Sequence, residues 1–532
     1  MNYRHFLAAV CAVMLTWCAA AQSTKPAAKS TSQPVAKSTS QPASAPAARP
    51  AIVVSKETTY VTGPLRPDGS VDFAAALNEL AGKGVTKENN AAVPLLQIVG
   101  LSPMYRETEQ GRETTKEIIR QFGIQPGKLD LYPLAKEEEF TLRRPWKADE
   151  AEALATWLAN NQAALDTCVQ AFQRSRYFVP TVQSQSFWEP SSGTMVSSAR
   201  ALAKLLIARG FLHAEAGEYK EAWRDIQAAR QFGTLFEQEP LILGVLGSVA
   251  ILNLADTAMQ RLALHGADKT LLSAMLDDVS RRPAPNLDWA LHTERVYLVY
   301  ANCEILKAFH DNTSEAAKML ELPDGQKWTS GEEKRLLAIL RDVDHNEAMT
   351  AFNRHLDAND AIVKIKDFHR RQAAARKYNE QQEQVRATLK KQRLPKADAS
   401  AQVKTQWFVD VMTFTSGLLL PAQVKLHDMI DRSEQSRRIT MVALALEMHK
   451  REHGVYPKTL DALAPAYLKA VPTDLFSGKA LVYKPHDGTY DLYSVGPDGK
   501  DDGGHERDDI VSETMRIREE AAPEKKAAPS RP

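Results

Sequence analysis

The chain has 532 residues, 44% of them apolar and 25% charged, which excludes a wholly disordered or fibrous protein. Its formal charge is +1, and without Arg4, the sole charged residue of the first 21, 66 basic residues face 66 acidic ones. That balance gives no case for binding nucleic acid or an anionic membrane, and four cysteines, two of them Cys11 and Cys18, cannot build a disulfide framework or a Cys-rich zinc site.

Residues 1–21 read as a secretory signal peptide. Arg4 and His5 precede an apolar run from Phe6 to Trp17, and Cys18-Ala19-Ala20-Ala21 supplies a small-residue cleavage site. The run is too short to anchor stably in a bilayer, so the expectation is an exported chain, periplasmic or extracellular, with no transmembrane anchor in its mature form. Leu15, three residues before Cys18, offers lipid attachment at Cys18 as an alternative, against which stand Thr16 and bulky Trp17. Residues 22–54 form an Ala, Ser, Pro and Lys linker, with Ala28–Pro34 repeated as Ala36–Pro42. Such composition buries too little apolar area to offset its ordering entropy, and it predicts a disordered tether.

Residues 55–420 read as an irregular α-helical body, and the fold class is mainly α. Asp72 caps a helix from Phe73 to about Lys83, and helical stretches follow near Asn89–Gly100 and Thr114–Phe122. From Ala148 to Arg174 a long helical pattern places Leu154, Trp157, Leu158, Leu165, Cys168 and Phe172 on one apolar face, which makes Cys168 a core thiol rather than a nucleophile. In Ala201–Phe232, Gly210, Gly217, Tyr219, Ala222 and Ala229 fall where small residues let two antiparallel helices approach and Tyr219 fills the groove between them. This segment resembles the inter-helix turn of a tetratricopeptide repeat. It covers a single repeat, where a stable array needs about three, so it predicts a repeat-like hairpin rather than a peptide-binding solenoid.

Pro240–Leu264 is rich in Leu, Val, Ala and Gly but interrupted by Asn253 and Asp256, and reads as a buried core helix rather than a membrane span. A helix over Asp288–Phe309 carries Cys303, leaving Cys168 and Cys303 either unpaired or joined in one disulfide. Glu294 and Arg295 on that helix suit a core ion pair. Beyond a loop at Leu322–Lys327, helical sequence runs to Arg393, with a break near Asp342–Asp344. Its last part, from Arg370, is charged and predicts a helix facing solvent or packed by a narrow stripe. Asn346, Asn353, Asp357 and Asp360 share a helix face there, read as a solvated side ahead of a binding site.

Pro421–His453 is a long helix stopped by Gly454, followed by a short helix at Leu460–Leu463. Alternating segments Ala480–Lys484 and Thr489–Val495 flank Pro485-His486-Asp487-Gly488, a hairpin signal. Ala443–His449, Gly454-Val-Tyr456-Pro457, Leu460, Leu463, Val471-Pro472-Thr-Asp474, Tyr483 and Tyr490-Asp-Leu-Tyr493-Ser494-Val-Gly496-Pro-Asp498-Gly499 lie in this order, with Asp509-Ile510 beyond. On these residues, 421–512 resembles the globular domain of major pseudopilins of type II secretion systems, which implies a small α+β module, a long helix plus an antiparallel sheet. The remainder resembles exported helical bacterial proteins that end in such a module, from which no activity carries over. A pseudopilin helix begins apolar and anchors in the membrane, whereas this one carries Asp428, Asp431, Arg432, Arg437 and Arg438. The module therefore reads as reused on another scaffold. Residues 513–532 read as a disordered charged tail.

Between Asp498 and Asp509 lie six carboxylates and three glycines, a density of hard oxygen donors that suits Ca²⁺. The resemblance implies a structural calcium held by Asp498 and Asp509 with Asp501 or Asp502. His449-Lys450-Arg451-Glu452-His453 fits a zinc-peptidase pattern, His449 and His453 as ligands and Glu452 as base, but it sits in the last turn of a helix with too little chain left for a catalytic fold. The functional expectation is an exported, non-enzymatic interaction or structural component with an unknown protein partner. The alternatives are an exported hydrolase, with a site in the helical body or zinc at His449 and His453, and an accessory component of a type II secretion or pilus-like system.

Overall fold

Apolar residues at helical spacing build nearly every element. The computed structural model describes residues 52–101, 109–182, 192–282, 284–310, 329–417, 420–504 and 509–521. The leader, Cys18, the linker up to residue 51, the loop expected at 322–327 and the tail from 522 lie outside them. In chain order the helices are α1 (Phe73–Ala81), α2 (Ala92–Ile98), α3 (Glu109–Phe122), α4 (Glu152–Asn160), α5 (Gln162–Ala171), α6 (Ser192–Glu215), α7 (Tyr219–Phe236) and α8 (Leu241–His265). They continue as α9 (Lys269–Arg281), α10 (Asp288–His310), α11 (Ser330–Arg341), α12 (His345–Val363), α13 (Phe368–Lys391), α14 (Ala401–Gly417), α15 (Leu420–His453) and α16 (Glu513–Ala521). The strands β1 (Val482–His486), β2 (Thr489–Ser494) and β3 (Ile510–Val511) form one antiparallel sheet in that order. The fold is mainly α with a small sheet near the C-terminus, as the sequence predicts.

Two compact units share the chain: residues 1–80, 181–190 and 292–424 form the first, and 81–180, 191–291 and 425–532 the second. The first unit is built on α11 to α14 and the later part of α10. Its α12 does not present a solvated face. Asn346 Oδ1 accepts from Val53 N at 2.8 Å, and Asn353 Nδ2 donates to the carbonyls of Glu57 and Thr58 at 3.0 and 2.9 Å. Arg295 from α10 reaches Asp357 at 2.5 Å and Asn353 Oδ1 at 3.3 Å, and its guanidinium lies 4.2 Å over the Tyr60 ring. Thus Arg295 pairs with Asp357, and more loosely with Asp360 at 3.9 Å, where Glu294 was the expected partner. The tether expected through residue 54 is already fastened at Val53. Replacing Asn353 with Ala strips both carbonyls and Arg295 of a buried partner. Urea unfolding should show a loss of about 1–3 kcal/mol. Along α13 only Arg371, Ala375, Tyr378 and Leu389 are buried, the narrow stripe its charges predict.

In the second unit α6, α7 and α8 pack together. A Cβ on Gly210 would stand 3.0 Å from the Ala222 carbonyl oxygen, so the small residue does permit the close approach of α6 and α7. Tyr219 does not fill the groove between them; its hydroxyl lies 3.0 Å from His265 Nδ1 at the far end of α8. Among the described residues α8 alone is long and apolar enough to cross a membrane, with mean hydropathy 1.8 in its most apolar stretch, yet 78% of that stretch is buried inside the protein. The long pattern from Ala148 breaks into a 3₁₀ turn, α4 and α5. At the second break the Asn161 side chain donates to the Trp157 carbonyl at 2.8 Å, competing with the helix's own bonds. Cys168 and Cys303 are both free thiols.

A boundary at 420 separating body from module does not correspond to the compact units. The face of α15 is occupied inside the second unit: Ser433 Oγ meets Asn253 Oδ1 at 2.8 Å, Gln260 Nε2 meets Thr440 Oγ1 at 2.7 Å, and Arg437 donates to the Val279 carbonyl at 2.8 Å. The charged stretch expected to be disordered from 513 instead starts as α16. Arg261 holds it, binding Glu513 at 2.6 Å and Glu520 at 3.1 Å.

Candidate functional site

The module's signature residues hold its parts together. Gly454 ends α15 with φ 79°, its N–H on the Lys450 carbonyl at 2.8 Å. The chain then turns through Tyr456 and Pro457, where Tyr483 Oη donates to the Pro457 carbonyl at 2.7 Å and the Tyr456 ring meets Tyr490 edge-on at 4.8 Å. Tyr456 Oη donates to buried Glu447 at 2.5 Å. Desolvation, then the charge and hydrogen bond of Glu447, push the Tyr456 phenol far above its ordinary range. Asp474 is the hub that sequence spacing alone does not reveal. Its carboxylate accepts from Phe476 N at 2.8 Å and Val495 N at 3.0 Å, tying the turn after Pro472 to the end of β2. The neighbouring Leu475 N donates to Gln435 of α15 at 2.7 Å.

β1 and β2 pair from Val482 with Tyr493 to His486 with Thr489, as the alternation and Asp487-Gly488 predict. Beyond β2 the chain enters the acidic loop, in which Gly496, Gly499, Gly503 and Gly504 all have positive φ. Asp498 is exposed and accepts from Lys500 N at 3.0 Å. Asp501 accepts from Tyr493 Oη at 2.8 Å and from Gly503 N at 3.0 Å, bonds that hold its carboxyl below the usual range. Asp502 is exposed. Asp509, 3% exposed, accepts from Gly504 N at 2.8 Å. Burial, the hydrogen bond and charge of Asp501, and the charge of Asp509 together raise the Tyr493 phenol. The structure therefore gathers Asp501 and Asp509 around Tyr493 and leaves Asp498 and Asp502 on exposed turns. Among the described residues no three His, Cys, Asp or Glu side chains converge as a metal cage. Glu506 and Asp508 of the same loop lie outside them. The donor chemistry present, carboxylate oxygens beside turned backbone, fits a hard cation such as Ca²⁺.

The zinc pattern assembles differently. His449 and His453 do share a face, their rings stacked 4.1 Å apart, but Nδ1 of each lies against a backbone carbonyl at 3.0 and 3.1 Å. Glu452 is drawn away, accepting from Lys269 Nζ at 2.7 Å and Tyr467 Oη at 2.9 Å. A carboxylate so engaged is poorly placed to activate a water between the two imidazoles.

No curated protein and no solved structure matches the chain. Residues 428–513, from within α15 to the first residue of α16, match the family model of type II secretion system protein G, so this stretch, under a fifth of the chain, is similar to that pseudopilin family.

Proposed function

We propose that the chain is an exported, non-enzymatic accessory or interaction component of the bacterial envelope, which presents a calcium-stabilised pseudopilin-like module to a protein partner of a type II secretion or related system. The match over residues 428–513 carries this reading. The packing of α15 bears on its form: a pseudopilin uses its long helix to enter a fibre, whereas Ser433, Arg437 and Thr440 of this helix are already engaged within the second unit. The module acts as a recognition element rather than as a fibre subunit. Crosslinking the tagged full chain in cells of its source bacterium, followed by quantitative mass spectrometry, should recover secretion-system components above a tag-only control. Recovery of none overturns the assignment.

Asp501 and Asp509 would hold the calcium, whose chemistry there is to neutralise paired carboxylates and fix the loop against β2. Saturating calcium at about one hundred times its dissociation constant should stabilise the chain by about 2.7 kcal/mol. Differential scanning fluorimetry should therefore show a higher midpoint in calcium than in chelator, with the difference lost in the double variant Asp501→Asn, Asp509→Asn. Identical curves for the unmodified chain in calcium and in chelator remove the ion from the account.

A further inference from the structure

The first unit encloses a cavity of about 340 Å³, near the small end of the ~300–1,000 Å³ range of ligand pockets. Three separate pieces of chain build it. Residues 52–54 are held by the bond from Val53 N to Asn346, and the turn at Asp68–Ser70 is closed by Asp68 Oδ1, which accepts from Ser70 N at 2.9 Å and Ser70 Oγ at 2.6 Å. The third piece is one face of α10, where Cys303, Glu304, Leu306 and Lys307 line the wall. Ile52, Val54, Val71, Phe73 and Leu306 make most of the lining apolar.

Of the acidic and basic side chains on the wall, two are carboxylates, Asp68 and Glu304, and one is an ammonium, Lys307. Their ion pairs are loose. Lys307 Nζ stands 3.8 Å from Asp68 Oδ2, and Glu304 Oε1 stands 3.9 Å from Arg66, which does not line the cavity. All four side chains are partly solvated, so these pairs contribute little and an entering group can replace them. The wall thus offers an apolar body site beside an excess of negative charge, and a low-dielectric cleft focuses that field.

We propose that this cavity binds a small primary amine with an apolar body, its ammonium head on Asp68 and Glu304. Cys303 reports on occupancy. Its thiol is partly accessible, and burial pushes it up to about 12, so it stays protonated and alkylates slowly without taking part in binding.

Calorimetric titration of the full chain with phenylbutylamine and with phenylbutyrate, the same body bearing opposite heads, tests the assignment. The amine should bind at least tenfold more tightly than the acid. Val71→Phe, which fills the cavity, should weaken the amine at least tenfold without lowering the melting midpoint, and Asp68→Asn should narrow the gap between the two heads. A fold-independent readout uses the unmodified chain: saturating amine should slow alkylation of Cys303 by iodoacetamide several-fold, with buried Cys168 as the internal reference. Equal affinity for the two heads, tighter binding of the acid, full affinity retained in a folded Val71→Phe variant, or no saturable binding together with unprotected Cys303 overturns the proposal.

Discussion

Replacing Arg230 with Met should cost about 3–5 kcal/mol in urea unfolding at neutral pH. Arg230 is 1% exposed in α7 and donates to Asp256 at 2.7 Å, Asp278 at 3.2 Å and the Arg282 carbonyl at 3.3 Å. Asp278 keeps other donors, Arg282 Nε and Gln227 Nε2, both at 3.1 Å. Asp256 on α8 loses a charged partner inside a core that already excludes water, and the penalty is the desolvated carboxylate rather than the lost contact. The double variant Arg230→Met, Asp256→Leu should therefore recover most of the loss, because removing both charges leaves little to desolvate. Added salt should leave the single-variant loss unchanged, since the pair is buried. A loss below about 1 kcal/mol would mean that water reaches the network after all.

The second large effect is one of pH. Glu239 sits between α7 and α8, 2% exposed, and burial pushes its carboxyl up to about 8. An unfolded glutamate titrates near 4.3, so between these values the native state holds a proton that the unfolded state has lost. Stability from this group is complete below the unfolded value and falls as pH rises, through about pH 4 to 8, by about 3–5 kcal/mol. Glu237, also raised by burial, to about 7, acts in the same direction. Glu239→Gln keeps the shape and removes the titration. Thermal melts should show the variant and the parent alike near pH 4 and the variant markedly more stable at pH 8. Parallel curves across that range would show that the carboxyl is solvated in the native state.

Local rules made the C-terminal module readable. Alternation plus Asp487-Gly488 specifies the β1–β2 pairing, and Gly454 marks the helix end, because each depends on residues close in sequence. Helix α14 carries no such signal. Val, Thr, Phe and Trp crowd it, residues that lose rotamer freedom in a helix, and burial of Trp407, Phe408, Val411, Met412 and Phe414 makes it helical regardless. Nor could spacing show that Asn346 and Asn353 would fasten residues 53–58, since the partners lie almost 300 positions away. At the acidic loop the density of carboxylates was visible from composition. Which two meet was not, because the selection is made by one phenol, Tyr493, projecting from β2.

The unbroken run of α15 from Leu420 to His453 has a practical consequence for anyone dissecting the protein. Ile439, Val442, Leu444 and Leu446 of this helix are fully covered in the second unit. A fragment cut at residue 421 to isolate the recognisable end would bare whatever part of that surface faces residues 191–291, together with the polar partners of Gln260 and Asn253. Such a fragment should aggregate or swap with its neighbours. A soluble piece must keep α6 to α9 together with everything after α15, so recognition and scaffold are inherited as one folding unit.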